Sequence, residues 1–87
     1  MSEIAMPSSK ELLDATLKCL ETSGGKATNG QILDWTIKHL NLTSPQITAI
    51  RSGQRTELEY RLAWARTSAK RKGLIERNGP SSWTLVN

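Results

Sequence analysis

Eight cations fall between residues 51 and 87: Arg51, Arg55, Arg61, Arg66, Lys70, Arg71, Lys72 and Arg77. Only three carboxylates, Glu57, Glu59 and Glu76, accompany them. Residues 1–50 carry four cations and five carboxylates, so the formal balance is −1 in the first part of the chain and +5 in the second. The chemistry open to such a run is binding rather than bond-breaking. Guanidinium forks match phosphate oxygens and the edge of guanine, and a one-sided field attracts a polyanion. Charge alone fits a solvated basic face equally well.

The other residue types narrow the choice. His39 is the single histidine and Cys19 the single cysteine. A metal-ligand cluster or a Ser-His-Asp arrangement cannot be assembled from them, and an intramolecular disulfide cannot form. Cys19 is expected as a small buried hydrophobe and His39 as a surface or cap residue. Gly24-Gly25-Lys26 lacks the flanking strand and the spacing of a phosphate-binding loop. Neither an enzyme nor a cofactor is expected. The first residues, MSEIAMPSS, have no basic and apolar leader, and no apolar run reaches the length of a bilayer span. A cytoplasmic chain without a membrane partner is the default expectation.

The elements that must position the cations are marked by their start signals. With 87 residues, 37% of them hydrophobic, the chain closes one thin core. Three tryptophans and no phenylalanine leave the bulky packing to Trp35, Trp64, Trp83 and the leucines. Ser8 and Glu11 form a capping-box pattern ahead of Leu13, Leu17 and Leu20, one helical stripe that Gly24-Gly25 ends. Thr28 and Gln31 repeat the pattern ahead of Leu33, Ile37 and Leu40, and that helix fades at Asn41. Ser44-Pro45 reads as an N-cap with proline at the first helical position of a short helix through Ile47 and Ile50. Arg51 to Gln54 reads as a loop. Thr56 and Glu59 open a helix of about four turns with its stripe at Leu58, Leu62, Ala65 and Ala69. Gly73 stops that helix, with Lys70, Arg71 and Lys72 at its negative dipole end. Residues 74–77 and 83–86 are β-prone and flank Asn78 to Ser82, a turn-rich stretch. The expected fold is mainly α with a small C-terminal β-hairpin, in the order of a winged helix-turn-helix. Residues 1–7 are expected as a flexible N-terminus and residues 8–87 as the folded domain.

Wound at about 100° per residue, the long helix puts Tyr60, Trp64, Thr67 and Arg71 opposite its apolar stripe, with Glu57, Arg61 and Ser68 at the flank. Arg51, Gln54, Arg55 and Thr56 lie at its N-terminus, where recognition helices present residues to base edges and where backbone amides favour phosphate. Arg77 and Asn78, on the hairpin, are candidates for a wing contact. Trp64 either joins the contact face or packs against the hairpin or the short third helix, and the burial preference of tryptophan favours packing.

These stretches together resemble a known family. "ELLDATLKCL" before a glycine pair, "GQILDWTIKHLNLT", "RSGQ", "LEYRLAWARTSAKRKGLIER", an Asn-Gly turn and "WTLVN" are similar to the N-terminal domain of the Mrr family, restriction enzymes that act on modified DNA. The most specific piece is Arg61-Leu62-Ala63-Trp64-Ala65, followed by Gly73-Leu74-Ile75 and by Trp83-Thr84 on the last strand. The resemblance spans about Glu11 to Val86. It implies a winged-helix DNA-binding module that directs a separate nuclease domain. The nuclease signature, an acid two residues before a lysine, is missing: the residues in that place are Ser8, Thr16, Gly24, Thr36, Ser68 and Lys70.

The expected function is thus a sequence- or modification-directed binder of double-stranded DNA without a nuclease site of its own, standing alone or joined to a nuclease domain. Phosphate contacts would supply most of the affinity, and residues between Thr56 and Arg66 the base readout. The alternatives are a protein-interaction winged helix docking through Tyr60 and Trp64, or a small transcription regulator. Oligomeric state is not legible.

Overall fold

The computed structural model describes residues 5–53 and 55–86. Gln54 and residues 1–4 of the expected flexible N-terminus lie outside the described residues. The elements run α1 (Ser9–Thr22), β1 (Lys26–Thr28), α2 (Asn29–His39), α3 (Ser44–Thr48), β2 (Ile50–Ser52), β3 (Arg55–Thr56), α4 (Glu57–Arg71), β4 (Ile75–Arg77) and β5 (Ser82–Leu85).

Each of these helices starts with a complete capping box. At α1, Glu11 N donates to Ser8 Oγ at 3.1 Å and Ser8 N donates to Glu11 Oε1 at 2.9 Å. Thr28 and Gln31 do the same for α2, and Thr56 and Glu59 for α4. Two orphan amides per helix are satisfied locally, which is why three-residue patterns announced these starts. The short helix differs from expectation by one residue: Thr43, not Ser44, is its cap, paired with Gln46. It ends at Thr48, so Ile50 leaves it to open β2 and stands 62% exposed.

The expected architecture, mainly α with a hairpin at the C-terminus, needs correction. Helices dominate, but the chain is mixed α/β with two small antiparallel sheets. The hairpin β4–β5 is not separate from the rest: β1, drawn from between α1 and α2, completes a three-stranded sheet in the order β1-β5-β4. Trp83 sits in its middle strand, opposite Ala27 on one side and Arg77 on the other. The segment expected as a loop from Arg51 onward contains instead a second ribbon, β2–β3, with Ile50 opposite Thr56. Both surprises are strands of two or three residues. One buried residue between two exposed ones, Ala27 between Lys26 and Thr28, is too short a period for a sequence pattern to register.

The core gathers Leu12, Cys19 and Leu20 of α1, Ile32 of α2, Leu58, Leu62, Ala65 and Ala69 of α4, and Ala27, Ile75 and Trp83 of the sheet. The expected α4 stripe is buried at all four positions. Of the expected α1 stripe, Leu20 is fully buried while Leu13 and Leu17 are partly covered, the other inner places going to Leu12, Ala15, Thr16 and Cys19. In α2, Ile32 and Thr36 take the inner places with Leu33, Ile37 and Leu40 beside them. The indole Nε1 of Trp83 donates to Asn29 Oδ1 at 2.8 Å, and Asn29 N donates to Ser81 O at 2.8 Å. The sheet is thereby tied to the first residue of α2. Residues 5–7 approach the body: Met6 packs against the core, and Ala5 O accepts from Gln46 Nε2 at 2.7 Å. No described helix is long and apolar enough to cross a membrane.

Candidate nucleic-acid interface

Helix α4 turns its buried stripe inward and leaves two differently charged edges. Along one edge, Glu57 accepts from Arg61 Nε at 2.7 Å and from Arg51 Nη1 at 3.2 Å. The Arg51 guanidinium also lies 3.6 Å from the centroid of the Tyr60 ring, with Arg55 at 5.8 Å from the same ring. Arg51 therefore meets an anion and an aromatic face together, the two partners that suit a flat delocalised cation. The hydrogen bond from Arg61, reinforced by that from Arg51, holds the Glu57 carboxyl below its ordinary range. One turn further, Trp64 is 51% exposed, with Arg71 at 5.9 Å above its ring. The expectation that tryptophan would hide against the hairpin or the short helix is overturned. The stripe positions beside it, Ala65 and Ala69, fill the core with small side chains, so the indole projects outward along the start of α1.

The other edge faces α2. Asn29, Gly30 and Leu33 of α2 and Arg55, Glu59, Leu62 and Arg66 line a cleft of about 540 Å³. Arg66 is half-buried, and its Nε is enclosed without a hydrogen-bond partner among the described residues. Loss of water holds its guanidinium pKa below the ordinary value, and the nearby charges of Arg55 and then Arg77 push the same way. Glu59 is the one carboxylate lining the cleft. Its Oε1 accepts from Thr56 N at 3.0 Å and from Thr56 Oγ1 at 3.1 Å, and the backbone bond from Thr56 holds its carboxyl low.

The sequence-derived candidates thus divide. Arg51, Arg55, Tyr60 and Arg61 come together around the start of α4, and Trp64 and Arg71 pair further along it. Thr56 lies there too, but its hydroxyl is committed to the helix cap. Arg77 joins the electrostatic neighbourhood of Arg66 from the hairpin, where it also lies 5.4 Å from the Trp83 ring. Asn78 is exposed at the turn, its backbone N–H bonded to Ser82 O at 2.9 Å. Gln54 lies outside the described residues. Arg66, Asn29 and Gly30 were not singled out from sequence. Arg66 was within reach, since it sits seven residues after Glu59, nearly the same angle on the wheel and just beside the apolar stripe. Asn29 and Gly30 carry no such signal, because α2 meets α4 only in the folded chain.

Comparison with known proteins adds one finding. The Mrr N-terminal domain family matches residues 10–87. The chain belongs to the Mrr N-terminal domain family. Within it, the match takes in α1 almost entirely, both edges of α4 and the whole of the three-stranded sheet. No curated protein and no solved structure gives a significant match.

Proposed function

We propose that this chain is the duplex DNA-binding module of a restriction-type system. In this reading α4 enters the major groove, the β4–β5 hairpin serves as a wing, and a fused or separate nuclease domain does the cutting. With the short α3 and the β2–β3 ribbon set aside as an insertion between α2 and α4, the order α1, β1, α2, α4, β4, β5, with β5 between β1 and β4, supports a winged-helix reading. The observation that carries the reading is the flanking of α4 by cations on both edges: Arg51 and Arg61 on one, Arg55, Arg66 and Arg77 on the other. A helix in the major groove lies between two phosphate strands, and such a pair of basic edges meets both. Between the edges, Ala63 and Thr67 are small, which lets the helix approach base edges closely. Methyl groups on modified bases project into the same groove, where apolar atoms can feel them, and the family resemblance to enzymes acting on modified DNA supports that form of readout.

Charge reversal tests the reading. Arg55→Glu together with Arg61→Glu should lower duplex affinity by more than tenfold at low salt and flatten its salt dependence, given about 1.5–3 kcal/mol per charged hydrogen bond. Affinity and slope unchanged in the double variant would remove α4 as the reading element. A second reading, docking of a protein partner, is favoured by one observation, the exposure of Trp64 and Ile50. It predicts a complex that is insensitive to salt and lost in Trp64→Ala.

A further inference from the structure

Arg66 is in an unusual position for an arginine. Its Nε is shut away from solvent, has no acceptor among the described residues, and belongs to a cation with two further arginines as its electrostatic neighbours. Burying an arginine without a carboxylate is unfavourable, and placing like charges beside it adds to the cost. Glu59, which lines the same cleft, makes no ion pair with Arg66 among the described residues, and its Oε1 serves the α4 cap. The arrangement favours an anion at the Arg66 Nε–H.

We propose that the cleft between α2, β3 and α4 is a phosphate-binding pocket, with Arg66 at its floor and Arg55 at its rim. Arg77, on the neighbouring hairpin, adds a third positive charge to the surroundings of Arg66. The proposal rests on the DNA-binding reading for its physiological ligand, a backbone phosphodiester. The pocket chemistry itself, two guanidinium groups lining one site for a tetrahedral anion, applies equally to free phosphate. An incoming phosphate oxygen would accept from Arg66 Nε–H and relieve the repulsion among the three cations. Two features of α2 suit it. Asn29 and Gly30 both line the cleft, and since Asn29 N and Gln31 N already donate to Ser81 O and Thr28 Oγ1, the Gly30 amide is the first-turn donor left for a ligand. A Cβ on Gly30 would meet only Thr28 Oγ1 at 3.9 Å, so packing does not demand glycine there, whereas close approach of a ligand to the backbone would. The pocket also fixes orientation: it places the α2–hairpin edge of α4, rather than the Trp64 edge, against one DNA strand.

The test follows the arginine Nε–H resonances by NMR, with inorganic phosphate as one titrant and a short duplex as the other. Phosphate should shift the Arg66 Nε–H signal with saturation, and the duplex should shift the same signal and compete with phosphate. Arg66→Gln should abolish the phosphate response and weaken duplex binding about tenfold, while Arg66→Lys restores only part of either. Arg77→Gln, a change on the exposed hairpin that spares the core, should weaken phosphate binding several-fold and covers the case in which the Arg66 variants fail to fold. Saturable shifts at Arg66 with phosphate but no duplex binding would keep the pocket and remove the DNA reading. Duplex binding with the Arg66 signal unmoved, or with Arg66→Gln and Arg77→Gln at full affinity, would overturn the pocket and leave the DNA reading standing.

Discussion

Glu57 holds two arginines at once, and this decides how much charge the Tyr60 edge can offer. Its folded carboxyl is depressed by the bonds from Arg61 and Arg51. A depressed carboxyl contributes stability that is present above its ordinary pKa and is lost as pH falls through its folded value. Glu57→Gln should therefore lower the melting temperature slightly at neutral pH, with the difference closing as acid protonates the depressed Glu57 carboxyl. Melts that keep the same gap at neutral and acid pH would contradict this. The variant should also tighten duplex binding a few-fold, since Arg51 and Arg61 are released towards phosphate. Thr56 belongs at this scale as well. Its hydroxyl caps α4, so Thr56→Ala should cost about 1 kcal/mol in chemical denaturation, whatever it does to binding. Single residues were partly legible in the sequence. Arg51 and Arg55 are legible from their place at the α4 start, and Tyr60 and Arg61 from the helical wheel. The wheel also places Arg66 beside the apolar stripe, but its cleft partners Asn29 and Gly30 come from α2, far away along the chain.

Elements were legible where their signals are local. The starts of α1, α2 and α4 were each written in a residue and its partner three places on, and the α4 stripe is buried as its period required. The α1 stripe is legible at Leu20, whereas Leu13 and Leu17 fall at the margin because α1 is covered by α4, α2 and the sheet together. A helix packed on several sides buries a broad face, here around Leu12, Ala15, Thr16 and Cys19. Strands β1, β2 and β3 were illegible because two or three residues carry no period, and β1 exists through its pairing with β5. That pairing is reinforced by Trp83 and Asn29. Trp83→Phe keeps the ring in the core but loses the bond to Asn29 Oδ1, so it should destabilise by about 1 kcal/mol with the fold retained. A loss far above that would point to packing strain instead. Thr36, buried with its hydroxyl unpartnered among the described residues, should respond in the opposite direction. Thr36→Val removes an unsatisfied polar group and should stabilise the domain by about 1 kcal/mol in the same assay.

At the scale of the whole molecule, the sequence separates a near-neutral first part from a basic second part, and the fold gives that division a shape. Within residues 1–50, α1 carries two cations and three carboxylates, α2 is balanced and α3 is uncharged, while the +5 that follows is carried by β2, β3, α4 with its cap Lys72, and the hairpin. The two edges of α4 divide the cations between them, and the α2 edge keeps the larger unneutralised share. Binding led by such a surface should be governed by counterion release. The most direct measurement is the affinity for a short duplex, plain and methylated, across a series of salt concentrations. If Arg55 and Arg66 share one phosphate and Arg61, Lys70, Arg71 and Arg77 meet one each, log K should fall against log salt with a slope of roughly −4 to −5. A gap between the two duplexes that persists at every salt concentration would mark readout of the modification. Absence of binding at low salt, or an affinity that does not change with salt, would contradict the account and direct attention to Trp64 and Ile50 as a surface for protein.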